Sequence, residues 1–170
     1  NIQEHSHQVA VLAHALALIR RDILHLPTPE PDRCAVAALF HDASEILTGD
    51  MPTPIKYYNA EIKDAYKQVE HIAGNRLLEM LPPELRATYA GVLAEDKNGD
   101  IYPLVKAADK LSAYIKCIEE RKAGNNEFLS AEAQTRAALD ASPLPEVQYF
   151  LEHFIPAFER DLDELGAIGQ

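Results

Sequence analysis

Only two of the 170 residues are cysteines, so a disulfide framework is excluded as the source of stability. Cys34 and Cys117 each sit in an apolar helical context and read as reduced core thiols of a cytoplasmic protein. No apolar run approaches the roughly 18 residues of a membrane span, and no signal peptide is visible. Basic residues are scarce. Lys and Arg number 16 against 27 Asp and Glu, giving a net charge of −11 and a pI near 5.0. No basic stripe exists to hold a nucleic-acid backbone, which argues against a nucleic acid polymer as the main partner. The same acidity means that an anionic substrate needs a local cation. Alternating strand patterns, internal repeats and low-complexity segments are lacking as well.

What is present is a hydrophobic fraction of 47%, ample for the core of one domain spanning residues 1–170, and a helical period nearly throughout. Val9, Leu12, Leu16 and Ile19 define a first stripe, which gives way before the "PTPEP" loop at 27–31. Asp32 is the expected N-cap of a second helix reaching about Leu47. A Gly/Pro-rich loop, "TGDMPTP", leads to a long helix from about Asn59 to Met80 with Tyr58, Ile62, Tyr66, Val69 and Ile72 in period. Pro82 and Pro83 precede a shorter helix containing Leu85 and Leu93. After the turn "DKNGD", a helix from about Tyr102 to Ala123 is predicted to bury Leu104, Val105, Ala108, Leu111, Ile115 and Ile118. "GNN" at 124–126 ends it. Two more helices follow, the last from about Pro145 to Leu165 with a kink expected at Pro156. The fold class is all-α, a single-domain helical bundle. The chain starts at Asn1 without Met, almost inside a helix, and a preceding segment of the natural protein is expected.

Chemistry concentrates in the stretch "ALFHDASEILTGDMPTP". With 7 His and 11 Asp among 170 residues, chance predicts about 0.45 His-Asp pairs, so the pair alone proves nothing. The helical wheel adds to it. Taking His41 as zero, Val36, Leu39, Phe40, Ala43, Ile46 and Leu47 fall between about 140° and 260°, a broad core face. Glu45 lies at about 40° and Asp42 at about 100°, off that face, while the small Ala37 and Ala38 flank His41. On the first helix His5 shares the stripe of Val9, Leu12 and Leu16 and faces inward, whereas His7 faces solvent. Asp109 interrupts "LVKAADKLSAYI" at the edge of an apolar stripe, where an inward carboxylate needs a cation or donors. Two imidazoles and two carboxylates on three helices suit one divalent transition metal with positions left for water and substrate.

The order His … His-Asp … Asp on successive helices resembles the HD-domain phosphohydrolase superfamily. The runs "EHSHQVAVLAHALA", "HDASEILTGDMPTPIK" and "VKAADKLSAYIKCIEE", followed by "AGNNEF", resemble the bacterial HD-domain 5′-deoxynucleotidases across nearly all of the chain. The resemblance implies that His5, His41, Asp42 and Asp109 hold one divalent ion (cobalt, manganese, zinc or similar). It implies that Glu45 is the catalytic acid at the substrate phosphate, with His5 and Asp109 also reaching the substrate. Asp50, Met51, Pro52 and Thr53 match the loop lining the nucleoside pocket. The family also uses an Arg-Trp pair upstream of the first His; this sequence has no Trp and begins four residues before His5. The implied reaction is hydrolysis of a 2′-deoxynucleoside 5′-monophosphate, and the implied assembly is a homodimer.

Other readings stay open at this level. The chain could be an HD-domain enzyme acting on a nucleoside di- or triphosphate or a cyclic nucleotide. Two-metal relatives of that kind need further His ligands between Asp42 and Asp109, where only His71 occurs. A ferritin-like di-iron bundle needs two Glu-x-x-His motifs, and Glu4 to His7 is the single example. A non-enzymatic helical metal-binding module is the remaining alternative.

Overall fold

Small residues decide how the first two helices meet. In the computed structural model, which describes residues 1–49, 51, 58–93 and 98–160, α1 (Ile2–Leu18) is capped by the Asn1 side chain, which accepts from the Gln3 N–H at 3.0 Å. It buries Val9, Ala10, Leu12, Ala13, Leu16 and Ala17. Against it lies α2 (Pro31–Phe40), whose inward positions are Cys34 and Ala38. Side chains this short let the two backbones approach closely.

The third wall of the site is α6, and it follows from sequence period alone. Taking the helices in chain order, α3 is Glu45–Thr48, α4 Ala60–Glu79, α5 Pro83–Leu93 and α6 Tyr102–Lys122. All six apolar residues expected to be buried on α6 are at most 5% exposed. The helix ends where Gly124 turns to φ 85°; its N–H donates to Arg121 O and the Asn125 N–H to Glu120 O, a paired terminator that favours glycine. Then come α7 (Leu129–Asp140), α8 (Pro145–His153) and α9 (Ile155–Glu159). One buried cluster joins residues of α1, α2, α6, α7, α8 and α9. Among the described residues there is no strand, and no helix is long and apolar enough to cross a membrane.

Several boundaries depart from expectation. The first helix does not simply stop: it widens into a π-helical turn, Ile19–Ile23, with the Leu24 N–H donating five residues back to Ile19 O at 2.9 Å. The turn places Arg20 so that it reaches Pro27 O at 2.8 Å and both oxygens of the fully buried Glu146 at 3.3 and 3.1 Å. Asp32 is not the N-cap of α2. Glu30 holds that position and Pro31 opens the helix, because a ring-locked φ suits the first turn and a missing N–H is no loss there. The last helix breaks at Phe154 rather than bending at Pro156: Pro156 has no N–H for the Glu152 carbonyl, and a new helix starts at Ile155. The stripe of α4 is buried only at Tyr66, while Tyr58, Val69 and Ile72 are exposed.

The largest departure concerns the second helix. It ends at Phe40, and residues 41–44 form a turn before α3. The N–H groups of His41, Ala43, Glu45, Ile46 and Leu47 each donate three residues back, to Ala38, Phe40, Asp42, Ala43 and Ser44. This winding is tighter than 100° per residue, so the wheel fails from His41 onward. The expected core face is turned outward on both sides of this turn: Val36 and Leu39 are already exposed on α2, Ile46 and Leu47 are exposed beyond it, and Glu45, expected off the core face, is buried.

Candidate metal centre

Each imidazole reaches the site through a local backbone or side-chain bond that fixes its ring. His41 closes α2, where its Nδ1 lies 2.7 Å from Ala38 O. A carbonyl can only accept, so Nδ1 carries the proton and Nε2 turns the other way. That nitrogen stands 3.1 Å from Asp42 Oδ2 and 3.9 Å from Asp109 Oδ1. Asp109 is too far for a hydrogen bond and Asp42 is poorly aligned for one, so the buried Nε2 has no hydrogen-bond partner. His5, on the first turns of α1, places Nε2 at 3.2 Å from Asp109 Oδ1 and 3.4 Å from Asp42 Oδ2. The two rings lie 5.4 Å apart, centre to centre.

His5, His41 and Asp109 each bring one possible ligand atom within 4.8 Å of the other two. Asp42 stands outside that trio, with its Oδ2 3.4 Å from His5 Nε2 and 3.1 Å from His41 Nε2. A buried imidazole nitrogen without a hydrogen-bond partner, facing two carboxylates and a second imidazole, is a set of donors that could hold a divalent cation. The residues therefore fit the implied metal.

Without a cation the four groups compensate one another. The His5 pKa is raised to about 9 by the Asp109 and Asp42 carboxylates beside it. Burial works against a proton on His41, yet the same two carboxylates prevail and raise it to about 10. Burial likewise opposes charge on Asp42 and Asp109, but the imidazolium neighbours hold both well below the usual carboxylate range. The second oxygen of Asp109 faces Lys106 at 3.8 Å, one turn back on α6.

Glu45 opens α3 immediately after the His41–Ser44 turn and is only 9% exposed. The loop beyond it begins at Gly49, whose φ of 72° takes the chain out of the helix and whose carbonyl accepts from the Tyr66 hydroxyl at 3.1 Å. Of the four residues expected to line a nucleoside pocket, Met51 is half-buried; Asp50, Pro52 and Thr53 lie outside the described residues. His41 also forms part of the wall of a cavity of about 220 Å³, with Arg33, Ala37, Asp100, Tyr102 and Val105. Arg33 there offers a cation in an otherwise acidic chain.

Three residues escaped the sequence reading. Lys106 backs Asp109, while Gln8 and Ser112 meet behind His5. The signal for the latter two was present: each lies three positions after a candidate ligand on the same helix, hence on the same face.

Known proteins match this chain closely. The model of the YfbR-like 5′-deoxynucleotidase family matches residues 1–158. A 5′-deoxynucleotidase of Erwinia tasmaniensis is 50% identical over 98% of this chain and 84% of its own length. The 5′-deoxynucleotidase YfbR of Escherichia coli K12 is 48% identical over 98% and 83%, and a 5′-deoxynucleotidase of Shewanella oneidensis is 46% identical over 98% and 85%. In structure, an HD-domain phosphohydrolase of Listeria innocua superposes with a TM-score of 0.81, covering 95% of this chain and 78% of that one at 23% identity. With a family match over most of its length and relatives about half identical across nearly all of it, the chain belongs to the YfbR-like 5′-deoxynucleotidase family and carries the HD-domain fold.

Proposed function

We propose that this chain, as a single HD phosphohydrolase domain over residues 1–170, converts 2′-deoxynucleoside 5′-monophosphates and water into deoxynucleosides and phosphate. His5, His41, Asp42 and Asp109 hold one divalent ion, such as cobalt, manganese or zinc, with His5 and Asp109 also reaching the substrate. The observation that carries this reading is the convergence of His5 Nε2 and the carboxylates of Asp42 and Asp109 on the buried His41 Nε2, which has no hydrogen-bond partner. When bound by these residues, a divalent ion would supply polarisation of a phosphoryl oxygen and a nucleophilic water at neutral pH.

The chain's own groups do the rest. Both imidazoles serve through Nε2, with Nδ1 carrying the proton, and the two carboxylates bring negative charge that favours a cation. Glu45, one short turn beyond His41, moves the proton that water loses to the departing 5′ oxygen, so that phosphate and an uncharged sugar hydroxyl leave. Asp50, Met51, Pro52 and Thr53 line the nucleoside side. The working compartment is the cytoplasm, in keeping with two buried free thiols. The assembly is a homodimer.

Phosphate release from a panel of deoxy- and ribonucleoside monophosphates, with cobalt, manganese or zinc added in turn, tests the proposal. Release from the deoxy substrates, and much less from the ribo series, is expected. Cleavage confined to di-, tri- or cyclic nucleotides would replace this reading with the wider HD-domain one. No cleavage of any nucleotide by metal-loaded protein would leave only a metal-binding module.

A further inference from the structure

Ser112 sits on the buried face of α6 at 2% exposure, beside Leu111 and Ile115. A hydroxyl in such surroundings is unfavourable unless it is hydrogen-bonded. Here it has two partners across the α1–α6 seam: its Oγ donates to Gln8 Oε1 at 2.6 Å and lies 3.3 Å from His5 Nδ1. Once the hydroxyl proton is committed to the amide oxygen, only the Oγ lone pairs face the imidazole. The short bond to Gln8 therefore makes His5 Nδ1 the donor, which leaves Nε2, facing Asp42 and Asp109, as the nitrogen that gives up its proton to a cation. His41 reaches the same state through a different acceptor, the Ala38 carbonyl.

We infer that Gln8 and Ser112 are positioning residues that set the tautomer and ring orientation of His5 for cation binding. This rests on the proposed role of His5 as a ligand. The direction of the relay matters. Were Gln8 unable to accept, the Ser112 proton could turn to His5 Nδ1, forcing the ring proton onto Nε2 and blocking the ligand position. An outer partner of this kind typically changes metal affinity by about 10–100-fold.

The test is Zn²⁺ affinity of the full chain, measured by competition with a chelating dye at fixed pH, alongside helicity and melting temperature. Ser112→Ala and Gln8→Leu should each weaken Zn²⁺ binding by about 10–100-fold while the helical signal is retained. Gln8→Glu, which still accepts from Ser112, should bind Zn²⁺ within a few-fold of the parent. In the Zn²⁺-loaded parent, ¹⁵N spectra should show a proton on His5 Nδ1, lost or exchange-broadened in Gln8→Leu. Unchanged affinity in Ser112→Ala and Gln8→Leu, with loss in His5→Ala, overturns the relay but keeps His5 as a ligand. Unchanged affinity in His5→Ala overturns both. Equal losses in Gln8→Glu and Gln8→Leu also overturn the relay, because packing rather than hydrogen-bond direction would then be responsible.

Discussion

Glu45 illustrates what a single side chain does when its environment differs from its sequence context. It is polar, follows a His-Asp pair and lies off the apolar face of an ideal helix, yet the tight turn at 41–44 brings it to 9% exposure. Deleting it would combine lost chemistry with a void, so the isosteric Glu45→Gln is the cleaner change. Turnover in metal-loaded Glu45→Gln should fall by about 10²–10⁴-fold, the range for a lost proton-transfer group. Initial-rate phosphate assays check this, and near-parent turnover would remove Glu45 from the reaction. Protons at the two imidazoles give a second residue-scale expectation. The folded pKa values of about 9 for His5 and about 10 for His41 lie above the unfolded value of 6.5, so the folded metal-free protein binds more protons than the unfolded chain. That stabilisation is fully present below about pH 6.5 and is lost as pH rises through 9 to 10. The melting temperature of metal-free protein should therefore fall from pH 7 to pH 10. Loading Zn²⁺ at pH 7 requires neutral imidazoles and should release about two protons per ion, readable by calorimetry in buffers of different ionisation enthalpy. Release of none would remove the two imidazoles from the ligand set.

At the scale of elements, α2 is the instructive case. Judged by hydropathy, Val36 and Leu39 belong inside, but the helix instead turns Cys34 and Ala38 toward α1. Against the Ala10, Ala13 and Ala17 side of α1, bulk would hold the backbones apart. Position 38 has a second duty, since its carbonyl accepts the His41 ring proton. Ala38→Leu should destabilise the protein by about 1–3 kcal/mol through overpacking, measured by urea unfolding. It should also weaken Zn²⁺ binding, because moving α2 outward moves His41 with it. A stability loss with unchanged Zn²⁺ affinity would show that the site tolerates displacement of this helix. The opposite case is α6, where period, burial and boundaries all agree with the sequence. Its seven-residue interval from Val105 to Ser112 presents Asp109 to the site without disturbing the core on either side.

At the scale of the whole molecule, a contact with no sequence signature is the pair between Arg20, in the π-helical turn, and Glu146, in the first turn of α8. The partners are 126 positions apart. Glu146 is fully buried while the Arg20 side chain keeps 24% exposure, so the two halves of the pair are not equivalent. Arg20→Ala leaves a carboxylate enclosed without its cation and should cost about 3–5 kcal/mol. Glu146→Gln leaves a guanidinium that water can reach, keeps an acceptor, and should cost less. Thermal or denaturant melts of the two variants check the order, and equal losses would mean that packing rather than charge dominates there.

The helical class, the long stripe of α6, the inward first helix and the four candidate ligands are legible in the amino-acid sequence. Each of these depends on local period or on residue chemistry: a 3.6-residue repeat shows which side of a regular helix is apolar, and imidazole and carboxylate groups keep their ligand character wherever they are placed. Packing set the rest. Where winding changes, as at His41–Ser44 and Ile19–Ile23, every later residue rotates relative to an ideal helix, and no periodic count can follow it. Helix approach distance, not hydropathy, chose Ala38 over Leu39 as the buried residue. Gln8, Ser112 and Lys106 gained their roles because α1 and α6 cross where His5 and Asp109 meet, a juxtaposition of residues about a hundred positions apart that depends on packing and not on any local pattern.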